Sequence, residues 1–171
     1  MKNNFLAIAT ILLLTQGTYS QSEPKPKGDI VGLLVKSDEE QITSIDKITQ
    51  EIKANLSSYT KSEKVKDNSG YSYVYTKQNE LQLIVAFYKD KDVDKNVEWY
   101  FRYGRLIYSE QIRTDKATNK IVDNEKFYLD NEHLFAWFKS GKKVDVNSPE
   151  FKKTADELTA YADKLRADNL K

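Results

Sequence analysis

The spacing of hydrophobic residues changes twice along this chain, from a helical repeat to an alternating one and back. After Ser37 and Glu40, which form the capping box of a helix, apolar residues recur at steps of three or four, as on an amphipathic helix. They are Ile42, Ile45, Ile48, Ile52, Leu56 and Tyr59. A second helix is predicted with Ser148 as its N-cap and Pro149 as its first residue. Its apolar face holds Phe151, Ala155, Leu158, Tyr161, Ala162 and Leu165.

Between the two helices, apolar and polar residues alternate, which is typical of β-strands. Six such runs are separated by polar turns, at residues 71–75, 81–87, 97–103, 106–112, 121–129 and 133–138. Residues 61–70 are polar and end in a turn signal. The order predicts an α+β fold: an N-terminal helix, an antiparallel β-meander of about six strands and a C-terminal helix. The two helices can cover one face of the sheet, which leaves tyrosines on the other.

The first twenty residues have the order of a secretory signal peptide. A short start with Lys2 precedes an apolar run at residues 5–14, and Thr18 and Ser20 precede a cut before Gln21. The run is shorter than the roughly 20 apolar residues that span a bilayer. We therefore predict an exported bacterial protein, periplasmic or extracellular. Residues 1–20 are the signal peptide, 21–29 a flexible leader and 30–171 a single α+β domain.

Composition narrows the classes of partner. The formal net charge is +1, and loss of Lys2 with the signal peptide brings it to about zero. A neutral chain lacks the basic surface typical of proteins that bind nucleic acid or anionic membranes. With no cysteine, the sequence excludes disulfides, thiol nucleophiles and thiolate metal sites. No further segment is long and apolar enough to be an integral membrane segment after signal cleavage.

A weak repeat links three of the predicted hairpins. Residues 99–106 and 127–134 each place an aromatic strand end before a tight turn and a leucine after it, and residues 73–81 form a looser third copy. The pattern resembles the YF-x-N-G-x-L hairpins of uncharacterised exported bacterial proteins. Asn131-Glu132 stands where that pattern has Asn-Gly. The resemblance spans residues 71–138 and implies a sheet without implying an activity.

Few residues carry the chemistry of a metal or catalytic site. His133 is the only histidine and begins a predicted strand beside Glu132, where a surface or structural role is expected. Residues 90–96 begin like a calcium loop, but Lys95 stands where that loop needs glycine and Phe101 where it needs glutamate. Common catalytic and phosphate-binding motifs are missing. The sequence therefore predicts no cofactor, no metal and no catalytic residue.

Aromatic residues are the unusual feature of the composition, with 11 Tyr, 7 Phe and 2 Trp, mostly in the predicted strands. Tyrosine combines a large contact surface with a hydroxyl that suits a half-exposed face. We therefore predict a ligand-binding strand face formed by Tyr73, Tyr75, Tyr100, Tyr108 and Tyr128. The alternative is ordinary packing of aromatic residues in the core. A change of register by one residue would exchange the two faces.

Three functions are compatible with these features. The leading hypothesis is a non-catalytic binding or protein-interaction module of the bacterial envelope, whose partner is an unknown protein, glycan or apolar molecule. The second is a carrier of a lipid-like ligand, held in a cavity between sheet and helices. Its lining would include Ile45, Ile52, Leu83, Phe101 and Leu158. The third is a carboxylate-dependent hydrolase, for which Glu98 and Glu110 on neighbouring strands are the strongest pair.

Overall fold

The computed structural model describes residues 37–67 and 70–169, which belong to one compact unit of the chain. The predicted signal peptide and leader, and the first residues of the predicted domain, lie outside the described residues. Within the described ranges, eight strands form one antiparallel sheet between two α-helices. The strands are neighbours in space in the order in which they follow along the chain. The α+β class and the antiparallel meander are therefore confirmed.

Both helices begin where the sequence predicts. Glu40 closes the capping box of the first helix, accepting the Ser37 backbone N–H at 3.0 Å, and Ser148 Oγ accepts the Phe151 backbone N–H at 3.1 Å. The elements are α1 (Asp38–Ala54), a short 3₁₀ helix (Leu56–Ser58), β1 (Thr60–Asp67), β2 (Gly70–Lys77), β3 (Glu80–Lys89), β4 (Val93–Arg102), β5 (Arg105–Asp115), β6 (Lys120–Asp130), β7 (His133–Lys139), β8 (Lys142–Lys143) and α2 (Pro149–Asn169). In the described part of the chain, no helix is both long enough and apolar enough to cross a bilayer.

The predicted count of six strands is wrong, because the described sheet has a further strand at each edge. β1 lies in the segment that the sequence analysis assigned to a polar connection, and β8 has only two residues. The side chains of residues 60–64 are all exposed. Charged residues are common on edge strands, whose faces need not be apolar. Hydrophobic alternation is therefore missing from both edge strands, and the sequence pattern cannot reveal them.

Three hairpins repeat one local geometry. Both residues of each two-residue turn have a positive φ, between 47° and 73°, which is the type I′ geometry favoured in β-hairpins. These turns are Gln78-Asn79, Tyr103-Gly104 and Asn131-Glu132. In each hairpin the strand after the turn carries one extra residue, which forms a β-bulge. The extra residues are Gln82, Ile107 and Phe135. The weak sequence repeat thus corresponds to a repeated hairpin with a bulge.

The two helices pack on opposite faces of the sheet, so that the expectation of one shared face is wrong. α2 contributes to a buried cluster that contains Trp99, Phe127 and Trp137. α1 contributes to a separate cluster that contains Tyr100 and Tyr128. Consecutive strand residues point to opposite faces, and the central strands are apolar on both. Each face therefore needs a helix of its own to shield it from water.

Gly70, at the start of β2, lies too close to β3 for a side chain. A Cβ at this position would be 2.3 Å from the backbone oxygen of Phe87. We expect Gly70→Ala to lower the free energy of unfolding by about 1–3 kcal/mol, because the two strands must move apart. Urea unfolding measures the change. Lys77→Ala, at the exposed end of the same strand, is the control and should stay within about 0.5 kcal/mol. Equal stabilities of the two variants would contradict the close approach.

Candidate functional site

The five tyrosines predicted to bind a ligand lie on the same side of the sheet, the side that α1 covers. Directly opposite residues on neighbouring strands form a row across this side. From β2 to β6 the row consists of Tyr75, Leu83, Tyr100, Tyr108 and Tyr128. Tyr73 belongs to the next row, two residues away along β2. The fold therefore brings the five side chains onto one face, as the strand pattern predicts.

Three of these tyrosines lie beneath α1. The exposed fractions of Tyr100, Tyr108 and Tyr128 are 0%, 4% and 3%. Their rings are in contact, with centroid distances of 5.5 Å between the first two and 4.9 Å between the last two. Ile45 and Ile52 of α1 belong to the same buried cluster. A ligand could reach these three rings only if α1 moved away, and their binding role stays a prediction.

Carboxylates accept hydrogen bonds from the hydroxyl groups of the buried tyrosines. Tyr100 donates to Glu98 Oε2 at 2.6 Å, and Tyr128 donates to Asp46 Oδ1 of α1 at 3.0 Å. The Nζ of Lys53, also on α1, lies 2.9 Å from the same oxygen of Glu98. A buried phenol needs such a partner, because an unpaired hydroxyl away from water is unfavourable. The contacts therefore satisfy the tyrosines and attach α1 to the sheet.

Burial raises the pKa of all three phenols above the ordinary value, and neighbouring acids add to this effect. The hydrogen bond to Glu98 raises the pKa of Tyr100 further, and the charges of Glu110 and Asp46 do so for Tyr108 and Tyr128. A carboxylate nearby disfavours a second negative charge. The three hydroxyls are therefore neutral donors at physiological pH and are poor candidates for a nucleophile or a general base.

Glu98 and Glu110 lie directly opposite each other on β4 and β5. Opposite positions bring the Cβ atoms within about 4.5–5.5 Å, so the acid pair anticipated from the sequence exists. Each acid has a basic neighbour, because Lys53 contacts Glu98 and Lys126 of β6 lies opposite Glu110. This charge balance and the hydrogen bond from Tyr100 account for the pair as part of the contact between α1 and the sheet.

The other two predicted tyrosines lie at the β1 side of the sheet and are partly exposed. The Lys61 ammonium of β1 is 3.5 Å from the ring centroid of Tyr73 and 6.0 Å from that of Tyr75. Tyr73 also contacts Phe87 edge-on, at a centroid distance of 6.4 Å. Cations are attracted to the faces of such rings. This part of the face therefore has an aromatic surface against which the Lys61 ammonium lies.

A further row on the α1 side was missed by the sequence analysis. We call it the amide row, and from β3 to β6 it consists of Phe87, Asn96, Ile112 and Asn124. All four side chains are partly exposed. The Oδ1 atoms of Asn96 and Asn124 are shielded from water and accept no hydrogen bond from a described residue. The sequence analysis placed Asn96 at the end of the calcium-like segment, outside the predicted strands. Asparagine at an inward position of an alternating run is the signal that identifies this row.

The remaining sequence candidates do not converge on a site. Asp94, in the calcium-like segment, pairs with Lys116 at 3.3 Å. His133 is exposed at the start of β7. Among the residues that the structure describes, no group of three acids or histidines could hold a metal ion. The calcium-like segment is therefore part of a charged hairpin in which a lysine balances the acidic groups.

The residues proposed to line a carrier cavity lie on both sides of the sheet. Ile45, Ile52 and Leu83 belong to the cluster beneath α1, whereas Phe101 and Leu158 belong to the cluster beneath α2. They cannot line one cavity, because the sheet separates them. A cavity on the α2 side, near Lys64 and Leu165, has a volume of about 70 Å³. Ligand pockets usually have about 300–1,000 Å³, so this cavity suits a few water molecules rather than a lipid.

A comparison with protein-family models, with curated proteins and with solved structures found no match to the chain.

The buried tyrosines predict how stability depends on pH. A tyrosine in the unfolded chain loses its proton near pH 10, whereas the folded protein holds the protons of Tyr100, Tyr108 and Tyr128 to higher pH. The unfolded state then binds fewer protons, so the free energy of unfolding should fall as the pH rises above about 10. Urea unfolding at several pH values, with phenolate absorbance recorded in parallel, measures both effects. If every tyrosine of the folded protein titrated near pH 10, this prediction would be contradicted.

Proposed function

We propose that this protein is an exported, non-catalytic binding module whose ligand lies on the amide row and the neighbouring aromatic surface. The observation that carries the proposal is the pair of carboxamide oxygens, of Asn96 and Asn124, that lack a partner among the described residues. Strands are about 4.8 Å apart, so two strand intervals place these side chains roughly 10 Å from each other across Ile112. A ligand with several hydrogen-bond donors can contact both.

The energetics favour a ligand over a structural role for these asparagines. A polar group that is shielded from water without a partner costs about 1–3 kcal/mol. This cost disappears if a ligand N–H or O–H donates to the oxygen. Both side chains are partly exposed, so that a rotation of the carboxamide can turn the oxygen towards the solvent. Phe87 and Ile112 supply apolar contact between and beside the amides, as is common in sites for small polar ligands.

The same geometry favours binding over hydrolysis and over transport of a lipid. Glu98 and Glu110 lie next to the amide row, but Lys53 and the hydroxyl of Tyr100 engage Glu98. A nucleophile or a base needs a carboxylate that is available to the substrate. A carrier needs an enclosed apolar volume, whereas the amide row is a partly exposed surface that mixes polar and apolar side chains. A peptide or a sugar chain, which offers N–H or O–H donors at regular intervals, fits this surface best.

The asparagines allow the binding proposal to be tested separately from folding. Glycan and peptide arrays, followed by calorimetry on the strongest hit, identify a ligand and its affinity. We expect Asn96→Ala and Asn124→Ala each to weaken binding about tenfold, since each removes a hydrogen bond of about 1–1.5 kcal/mol. Neither variant should lower the free energy of unfolding by more than about 1 kcal/mol, because neither oxygen accepts a hydrogen bond from a described residue.

Gln111→Ala is the matched control, because Gln111 is a partly exposed amide of β5 that lies between Val97 and Glu125 on the α2 side. The affinity of the Gln111→Ala variant for the same ligand should equal that of the wild type. Equal affinity of the wild type and the Asn96→Ala/Asn124→Ala double variant would overturn the proposed site. A large loss of stability in the asparagine variants would show that these residues are structural instead.

Export is the part of the proposal that rests on residues 1–20, outside the described residues. We expect the protein recovered from its native host to begin at Gln21, as mass spectrometry of the intact chain can measure. Ser20→Trp is the control: it removes the small residue that the cleavage site requires, and the uncleaved precursor should accumulate. Mature protein that retains residues 5–14 would contradict export through this signal.

A further inference from the structure

β1 is an eight-residue strand at one edge of the described sheet. Its inner side pairs with β2, and no other strand within residues 37–67 and 70–169 pairs with its outer side. An outer edge of this length presents a row of backbone donors and acceptors that can pair with another strand. The side chains of residues 60–64 are exposed, so that neither α1 nor α2 covers this part of the edge.

The side chains near the edge do not block it. The Lys61 ammonium lies over the ring of Tyr73, on the α1 side. Lys64 points to the other side, where its Nζ donates to the backbone oxygen of Asp168 at 2.7 Å. Both lysines are therefore drawn over the faces of the sheet rather than out over its edge. Lysines that extend beyond an edge are a common protection against pairing, and β1 does not use them in that way.

Symmetry restricts how β1 can pair with a second copy of itself. In an antiparallel pair, two directly opposite residues direct their backbone N–H and C=O groups either towards each other or both away from the partner strand. Two identical strands can therefore pair only with the two-fold axis at a residue, so that opposite residue numbers add up to an even number. Within residues 61–64 of β1, whose side chains are described, the axis can lie at Lys61, Ser62, Glu63 or Lys64.

Charge selects one of these four registers. With the axis at Lys61, Glu63 or Lys64, that residue faces its own copy and two like charges are opposed, which is destabilising. With the axis at Ser62, Lys61 of each copy lies opposite Glu63 of the other. The two residues flank Ser62, so they project from the same face of the strand and form two oppositely charged pairs. β1 is thus complementary to itself in one register only.

We propose that β1 is the interface of a symmetric homodimer, in which two sheets continue into one another through antiparallel β1 strands centred on Ser62. The occupant of the edge is a second copy of this chain, because an isologous interface requires the self-complementary charge order that β1 has. The pairing buries few side chains and depends mainly on backbone hydrogen bonds. Dimerisation should therefore be weak and should depend on protein concentration. It does not depend on the binding function proposed above.

Charge reversal and charge exchange test this interface. Sedimentation equilibrium of the purified protein over a wide concentration range should show a monomer–dimer equilibrium. Lys61→Glu and Glu63→Lys should each weaken the dimer by about tenfold or more, since each opposes like charges at two symmetry-related places. The double variant Lys61→Glu/Glu63→Lys restores opposite charges in the same register, and its dimer should regain the wild-type strength.

The controls separate the interface from folding. Lys142→Glu changes an exposed lysine at the other edge of the sheet and should leave the dimer unchanged. The double variant also lacks the contact of Lys61 with Tyr73, so its recovery shows that loss of this contact is not the cause of a weaker dimer. A protein that stays monomeric at every concentration would overturn the proposal. The proposal would also be overturned if both single variants dimerised as strongly as the wild type, or if the double variant dimerised no more strongly than the single variants.

Discussion

The structure depends on the cross-strand register that its hairpins impose. Neighbouring residues such as Trp99 and Tyr100 point to opposite faces, so a slip by one residue would exchange the side chains beneath α1 for those beneath α2. Type I′ turns followed by a single bulged residue hold three hairpins in register. The bulge increases the local twist and redirects the strand. With this register, the indole rings of Trp99 and Trp137 face α2, and the rings of Tyr100, Tyr108 and Tyr128 face α1.

The two faces use different physical means to hold their helices. The α2 side is largely a cluster of apolar and indole side chains, where burial of hydrophobic surface is the dominant contribution. The α1 side adds polar contacts, from Tyr128 to Asp46 and between Lys53 and Glu98. Exposed ion pairs contribute little energy by themselves. These contacts instead select the position of α1 over the tyrosines, since a shifted helix would remove Asp46 from the buried hydroxyl of Tyr128.

The binding proposal and the dimer proposal concern the parts of the sheet that the helices leave accessible. The amide row lies beyond the tyrosines on the α1 side, and β1 is an edge strand whose outer side pairs with no other described strand. The amide row combines carboxamides with an aromatic surface, and β1 combines charged side chains with backbone hydrogen-bonding groups. Neither resembles an enclosed reactive centre. The sequence is unusually rich in aromatic residues, but three of the predicted tyrosines, Tyr100, Tyr108 and Tyr128, serve mainly to pack the sheet against α1. The candidate ligand surface depends more on Asn96 and Asn124, which the composition does not single out.

The sequence by itself determined the elements whose stability is local or whose side chains alternate. The caps at Ser37 and Ser148, the two amphipathic helices and the six inner strands follow from hydrogen-bonding side chains and from hydrophobic spacing. The tertiary structure decided what spacing cannot encode. It placed the helices on opposite faces of the sheet. An apolar stripe indicates that one side of a helix is buried, but it does not indicate which face of the sheet covers that side. It revealed β1 and β8, because solvated edge strands need no alternation. It covered three of the predicted tyrosines and aligned two asparagines from β4 and β6, because contacts between residues distant in the chain arise only when the sheet has formed.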